Sequence, residues 1–316
     1  MKHWGMFGLL GLIWGSSFLL IKVAVEELEP LPVVSIRIGL AALIMLVFMI
    51  MTGRRLPDGR RERIALLVVG VMNTAAPFTL ITWGEQDIDS GLATVLNATV
   101  PLFTLLIAHV ALADERITMQ KAIGMLIGFA GVALLASRDA ASSSPNPLSG
   151  QAAVLVASLC YGISAVTIRR YLRQVDRFTT AGVSLIVGGI VVVLLTLVAV
   201  RPLPDLGSLS QETVLATVTL AVLNTVVAYF LFYSLIDAWG AMRTTLVTYV
   251  MPPVGVTLGA LFLDEAVDWK IVVGAALILG GIVAINWRRR RIAAVPAGPV
   301  AAPAGPQADA QRGGAD

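Results

Sequence analysis

Two asparagines sit deep in apolar sequence and repeat one another. Asn73 and Asn224 lie 151 residues apart, each is followed by threonine (Thr74 and Thr225), and each falls about midway along a run without charged residues. A carboxamide carries both hydrogen-bond donors and an acceptor, so the pair could read a polar small molecule from two sides. It could equally tie neighbouring helices together. Other groups suited to binding share this depth. Trp14 and Tyr161 offer ring faces at matching places in the two halves, while Asn97 and Thr248 add an amide and a hydroxyl. Arg37 could hold a carboxylate through a two-pronged bond. The plainer readings are ring packing for Trp14 and Tyr161, and for Arg37 snorkelling outward or pairing with a glutamate of the preceding turn. Tyr229, Tyr233 and Tyr249 are further rings of the same kind.

Catalytic chemistry lacks its parts. His3 and His109 are the two histidines, and no H-E-x-x-H pattern holds either of them. No Ser/His/Asp set shares one depth, and no G-x-x-x-x-G-K-[ST] loop exists to cradle nucleotide phosphates. Cys160 is the lone cysteine, which precludes an intrachain disulfide or a cysteine metal set and reads as a small packing residue. No metal, cofactor or ATP is expected.

Side chains of this kind need elements to position them. Ser90, Thr94, Asn97, Pro101, Thr104 and Ala108 follow one another at alternating spacings of four and three, which is one face of a helix. Shifted by 151, the same face reads Ala241, Thr245, Thr248, Pro252, Gly255 and Gly259. Both are small or polar, so both must turn away from lipid. Such a face divides between cavity lining and close helix packing. Pro101 and Pro252 each remove a backbone bond at mid-helix and predict kinks able to act as hinges.

These matches belong to a longer duplication. Asn73-Thr74, Thr94 and Pro101 recur as Asn224-Thr225, Thr245 and Pro252; one residue is then lost, and Asp114-Glu115, Gly124 and Gly131 recur as Asp264-Glu265, Gly274 and Gly281. Glu115 and Glu265 mark helix ends, where a carboxylate also suits the N-terminus of a neighbouring helix. Composition assigns the solvent: the chain is 57% hydrophobic and 14% charged, against about 25% charged for an average soluble domain. The charges cluster and leave ten uncharged runs, from 5–21 to 271–287. With flanking residues these reach the ~20 residues a membrane span requires. An all-α membrane protein of ten transmembrane helices follows. The apolar start lacks a small-residue cleavage site before Glu26-Glu27 and reads as the first span, not as a signal peptide.

With the N-terminus inside, 17 Lys and Arg fall in the inner segments and 3 in the outer loops. That asymmetry predicts both termini in the cytoplasm. It also explains the net charge of +3 without any nucleic-acid partner. The partners expected are the lipid bilayer and a small-molecule substrate, and the sequence leaves a homodimer open. A polar Pro/Ser-rich segment, 138–149, separates five spans (1–137) from five (150–287), and an odd number per repeat forces the halves into opposite orientations. Residues 288–316, rich in Ala, Pro and Gly, read as a disordered cytoplasmic tail.

W-G-S-S-F at 14–18 runs into I-K-V-A-V at 21–25, then an acidic-proline turn, then Ser35-Ile36-Arg37; each half later carries Asn, Pro and a helix-ending Asp-Glu before a Gly-rich helix. Over residues 4–287 this resembles the EamA-type branch of the drug/metabolite transporter superfamily. The resemblance implies two inverted five-helix repeats in an inner membrane and movement of small metabolites, often as export. The second half departs from the first at Cys160-Tyr161-Gly162, where Trp14-Gly15 would stand. The function expected is secondary transport of an amino acid, amine or xenobiotic by alternating access. A membrane enzyme, a channel and a receptor-like protein are the alternatives. Few carboxylates lie within the spans, so exchange or facilitated diffusion competes with proton antiport.

Overall fold

The computed structural model describes residues 2–113, 115–137 and 146–286. Asp114, most of the inter-repeat linker and the chain from 287 on, the tail 288–316 included, lie outside the described residues. Among the described residues, ten helices are long and apolar enough to span a bilayer: α1 Lys2–Ala24, α2 Pro30–Met51, α3 Arg60–Gly84, α4 Ser90–Ala111, α5 Met119–Ala136, α6 Leu148–Tyr171, α7 Arg177–Ala199, α8 Gln211–Trp239, α9 Thr245–Phe262 and α10 Trp269–Asn286. With an even number of crossings, Lys2 and Asn286 share one face of the bundle. It is called the terminal face below, and the opposite one the far face.

Packing follows the duplication. α2 packs on α7 and α5 on α10, so equivalent helices of the two halves meet at a pseudo-twofold axis. α1 lies against α8 and α9, as α6 lies against α3 and α4. Glycines decide how closely the pairs approach. Gly124 faces Gly281 and Gly131 faces Gly274, and a Cβ at Gly124 or Gly131 would stand 2.7 Å from the opposing carbonyl oxygen. Because Gly124 is equivalent to Gly274 and Gly131 to Gly281, this crosswise meeting is what an intramolecular twofold requires. Gly15 on α1 meets Val254 of α9, and Gly162 on α6 meets Phe103 and Thr104 of α4.

Four of the ten helices depart from regular α geometry, in equivalent pairs. Residues Val71–Ala75 of α3 and Val222–Val227 of α8 form π-helical turns, a wider coil often found at functional sites. Asn73 and Asn224 sit inside them. α4 breaks after Asn97 and resumes at Val100, with Pro101 in its first turn. α9 opens as a 3₁₀ stretch, Thr245–Tyr249, and resumes at Met251, with Pro252 in its first turn. Proline has no N–H and clashes with the turn before it, so each helix restarts where proline's fixed φ suits a first turn.

Candidate functional site

A cavity of about 190 Å³ lies at the centre of the bundle, where the broken and π-helical segments converge. α1 supplies Trp14, Ser17, Phe18 and Ile21, α2 supplies Arg37, and α3 supplies Phe78 and Ile81. Thr94, Asn97 and Pro101 come from α4, Tyr161 from α6, Asn224 and Tyr229 from α8, and Thr248 and Met251 from α9. Of the residues singled out from sequence, Trp14, Arg37, Asn97, Pro101, Tyr161, Asn224, Thr248 and the further ring Tyr229 line one space. Asn73 and Pro252 do not. Asn73 is taken up by its neighbours, donating from Nδ2 to the Tyr229 hydroxyl (3.3 Å) and accepting from Ser164 Oγ (3.2 Å). It positions a ring that faces the cavity. Pro252 is buried in the restart of α9.

Arg37 is neither a snorkelling residue nor the partner of a nearby glutamate. It is 3% exposed; its Nε donates to Thr225 Oγ1 (3.1 Å) and its guanidinium lies 4.3 Å from the Phe78 ring centroid. Among the described residues no carboxylate pairs with it. An unpaired cation against an apolar cavity is costly. The ring face and one hydroxyl offset part of that cost and leave the remaining guanidinium donors available to an anion. Asn224 is 1% exposed. Its amide nitrogen donates to the Ile13 carbonyl and lies 3.2 and 3.0 Å from the Ser16 and Ser17 hydroxyls. The tie to α1 and the place in the lining thus coexist. Asn97 and Asn224 each keep an amide oxygen without a hydrogen-bond partner among the described residues.

The two ends of the cavity differ. At the far face, the first half of α4 packs on the second half of α9. A Cβ at Gly255 would fall 2.7 Å from Thr94 Cβ, and one at Gly259 would fall 2.9 Å from Ser90 Oγ. Glu265, just past α9, accepts hydrogen bonds from the Ser90 and Gly91 N–H groups (2.6 and 2.9 Å) and so caps the start of α4. At the terminal face the equivalent halves are not packed together. Residues 100–111 lie on α6, and 245–249 lie on α1. Glu115, the repeat equivalent of Glu265, binds Lys121 (3.0 Å) and Arg169 (2.8 Å) instead.

Sequence reasoning passed over Ser17, Phe78 and Ile81 as cavity residues, and over the lateral closeness of Arg37 and Phe78. The Ser16-Ser17 pair was visible. Phe78 and Ile81 carried no signal, being ordinary apolar residues of an apolar helix.

A ten-helix bundle of two inverted repeats around a central cavity places the chain among multi-pass membrane proteins. The EamA-like transporter family model matches residues 3–137 and 148–287, and the chain belongs to that family. An uncharacterized inner membrane transporter of Escherichia coli K12, YedA, is 28% identical over 295 residues, covering 93% of this chain and 92% of its own. The uncharacterized transporter YoaV of Bacillus subtilis is 22% identical over 291 residues, 91% of this chain and 99% of its own. A solved crystal structure at 18% identity has the same fold, with a TM-score of 0.63 over 92% of this chain and 98% of that one.

Proposed function

We propose that the chain is a secondary transporter that moves a small metabolite outward across the cell (inner) membrane by alternating access, without ATP. One observation carries this reading. The two halves are equivalent in sequence, yet α4 and α9 meet at the far face and part at the terminal face. If the halves exchanged their conformations, the far face would open and the terminal face would close around the same central site. The basic asymmetry of 17 to 3 favours a cytoplasmic terminal face. The cavity in this structure then faces the compartment from which an exporter loads. Pro101 and Pro252 serve as the hinges.

The lining supports a substrate class. Arg37, with donors to spare and no acidic partner among the described residues, suits a carboxylate; Asn97 and Asn224 suit a donor such as an ammonium; Trp14, Phe78, Tyr161 and Tyr229 suit an apolar body. Of the amino acid, amine and xenobiotic that the sequence leaves open, an amino acid fits all three. Proteoliposome flux of radiolabelled amino acids should saturate and should accelerate when the opposite side is preloaded. Arg37→Gln should raise the half-saturation concentration about 10- to 150-fold, equivalent to losing a charged hydrogen bond of ~1.5–3 kcal/mol. It should leave uptake of the corresponding amines unimproved and unharmed. Flux that stays linear in concentration would indicate a channel. A chemically altered product without flux would return the enzyme reading.

A further inference from the structure

Glu85, one residue past α3, is a carboxylate the transport reading does not use. It is 0% exposed, and neither carboxylate oxygen has a hydrogen-bond partner among the described residues. Its position is set by the helix. Phe78 and Ile81 stand on α3 and Glu85 caps its end, at i, i+3 and i+7, so with its αR backbone Glu85 continues outward the face that lines the cavity at Phe78 and Ile81. It lies on the far-face side of the cavity, at the end of α3, where the charge of Glu265 after α9 reaches it.

The nearest cation is occupied. Lys22 of α1 directs its ammonium to the backbone carbonyls of Glu85 (2.7 Å), Gln86 (3.3 Å) and Ile88 (3.0 Å). An ammonium has three N–H donors, and three carbonyls at the end of α3 take them. Among the described residues, the other charged groups acting on the Glu85 carboxyl are Glu265, after α9, and Arg37 of α2. Glu265 is committed to the Ser90 and Gly91 amides and Arg37 to Thr225 and Phe78. Asp87 and Asp89 share the α3–α4 turn; α4 and the start of α6 bring no titratable side chain to this level. An ionised carboxylate stripped of water and left unpaired is strongly disfavoured. Burial pushes the Glu85 carboxyl well above the usual carboxylate range; Lys22 opposes the shift and Glu265 adds to it.

We propose that Glu85 is a proton-binding site of the far-face gate, holding a proton while α4 and α9 are together and releasing it to far-side water when they part. On opening, water reaches the carboxylate and Lys22 becomes its counter-ion. The sign follows from linkage. The closed gate raises the affinity of Glu85 for its proton, so closure is favoured at low pH and lost as pH rises through the closed-state titration. Each gate cycle thereby takes up and returns one proton. The proposal relies on the carrier reading only for the identity of the gate.

The test needs no substrate. In a Cys160→Ser background, spin labels at Gln86→Cys and Val267→Cys, both exposed, flank the gate. Their distance distribution is measured in nanodiscs from pH 5 to pH 10. The short-distance population should decline with rising pH in the parent and stay whole across the range in Glu85→Gln, which mimics the protonated acid. Glu85→Met, similar in size and uncharged, should behave likewise and replaces Gln if yield suffers. A pH response that survives in these variants, or its absence in the parent, overturns the proposal. Saturable exchange by the same preparation would then show that the carrier reading stands without it.

Discussion

Gly255→Ala should tip the carrier toward its far-face-open form. In the closed gate the three atoms nearest to an added Cβ all belong to Thr94: Oγ1 closest, then Cβ at 2.7 Å and Cγ2 at 2.8 Å. Contacts this short cannot persist, and overfilling a packed site costs about 1–3 kcal/mol. When α4 and α9 part, the added methyl meets no such wall. The penalty therefore falls on one state and shifts the equilibrium by roughly 5- to 150-fold. An Asn97→Cys reporter, placed in the cavity lining of a Cys160→Ser background, reads the change. Its rate of reaction with a membrane-impermeant thiol reagent added from the far side should rise by that factor. Thr94→Gly removes all three atoms and should return the rate toward the parent's. An unchanged rate in Gly255→Ala at normal folded yield would mean that this contact is not part of a gate. A rise that Thr94→Gly leaves untouched would mean that the steric account is wrong.

The two asparagines should part company. Asn73→Ala loses the bonds to Tyr229 and Ser164 and should change half-saturation only about three- to eightfold, as expected of one to two membrane hydrogen bonds of ~0.6 kcal/mol each. Asn224→Ala alters the cavity lining itself and should weaken transport several-fold to over a hundredfold, equivalent to ~1–3 kcal/mol. Folded yield by size-exclusion profile should hold in both, and equal small effects would assign Asn224 to packing as well. For orientation, alkaline phosphatase fused after Gly59 should be inactive and fused after Gly207 active. The reverse pattern would place the terminal face outside.

The sequence alone determined the solvent, the number of spans and the duplication. Each is a property of local composition or of self-similarity along the chain: charge is excluded from ~20-residue stretches because lipid cannot hydrate it, and a copied segment keeps its order. It also marked the polar groups Asn97, Asn224 and Thr248, which the fold gathers around one space because polar groups in apolar helices have few places to go. What it could not decide was partnership. Asn73 and Asn224 look alike, but one finds Ser164 and Tyr229 while the other finds Ile13 and keeps a free amide oxygen. Arg37 is within snorkelling reach of a helix end, and only the arrival of Phe78 and Thr225 from other helices holds it inside. Glu85 stands beside the polar Gln86 and Asp87 in sequence, yet it is wholly buried, and the Lys22 ammonium of α1 goes to its backbone carbonyl. Glu115 and Glu265 occupy equivalent positions and make different bonds. Two copies of one sequence have the same local preferences. Which copy is closed depends on how helices distant in sequence pack, and that is a property of the assembled bundle.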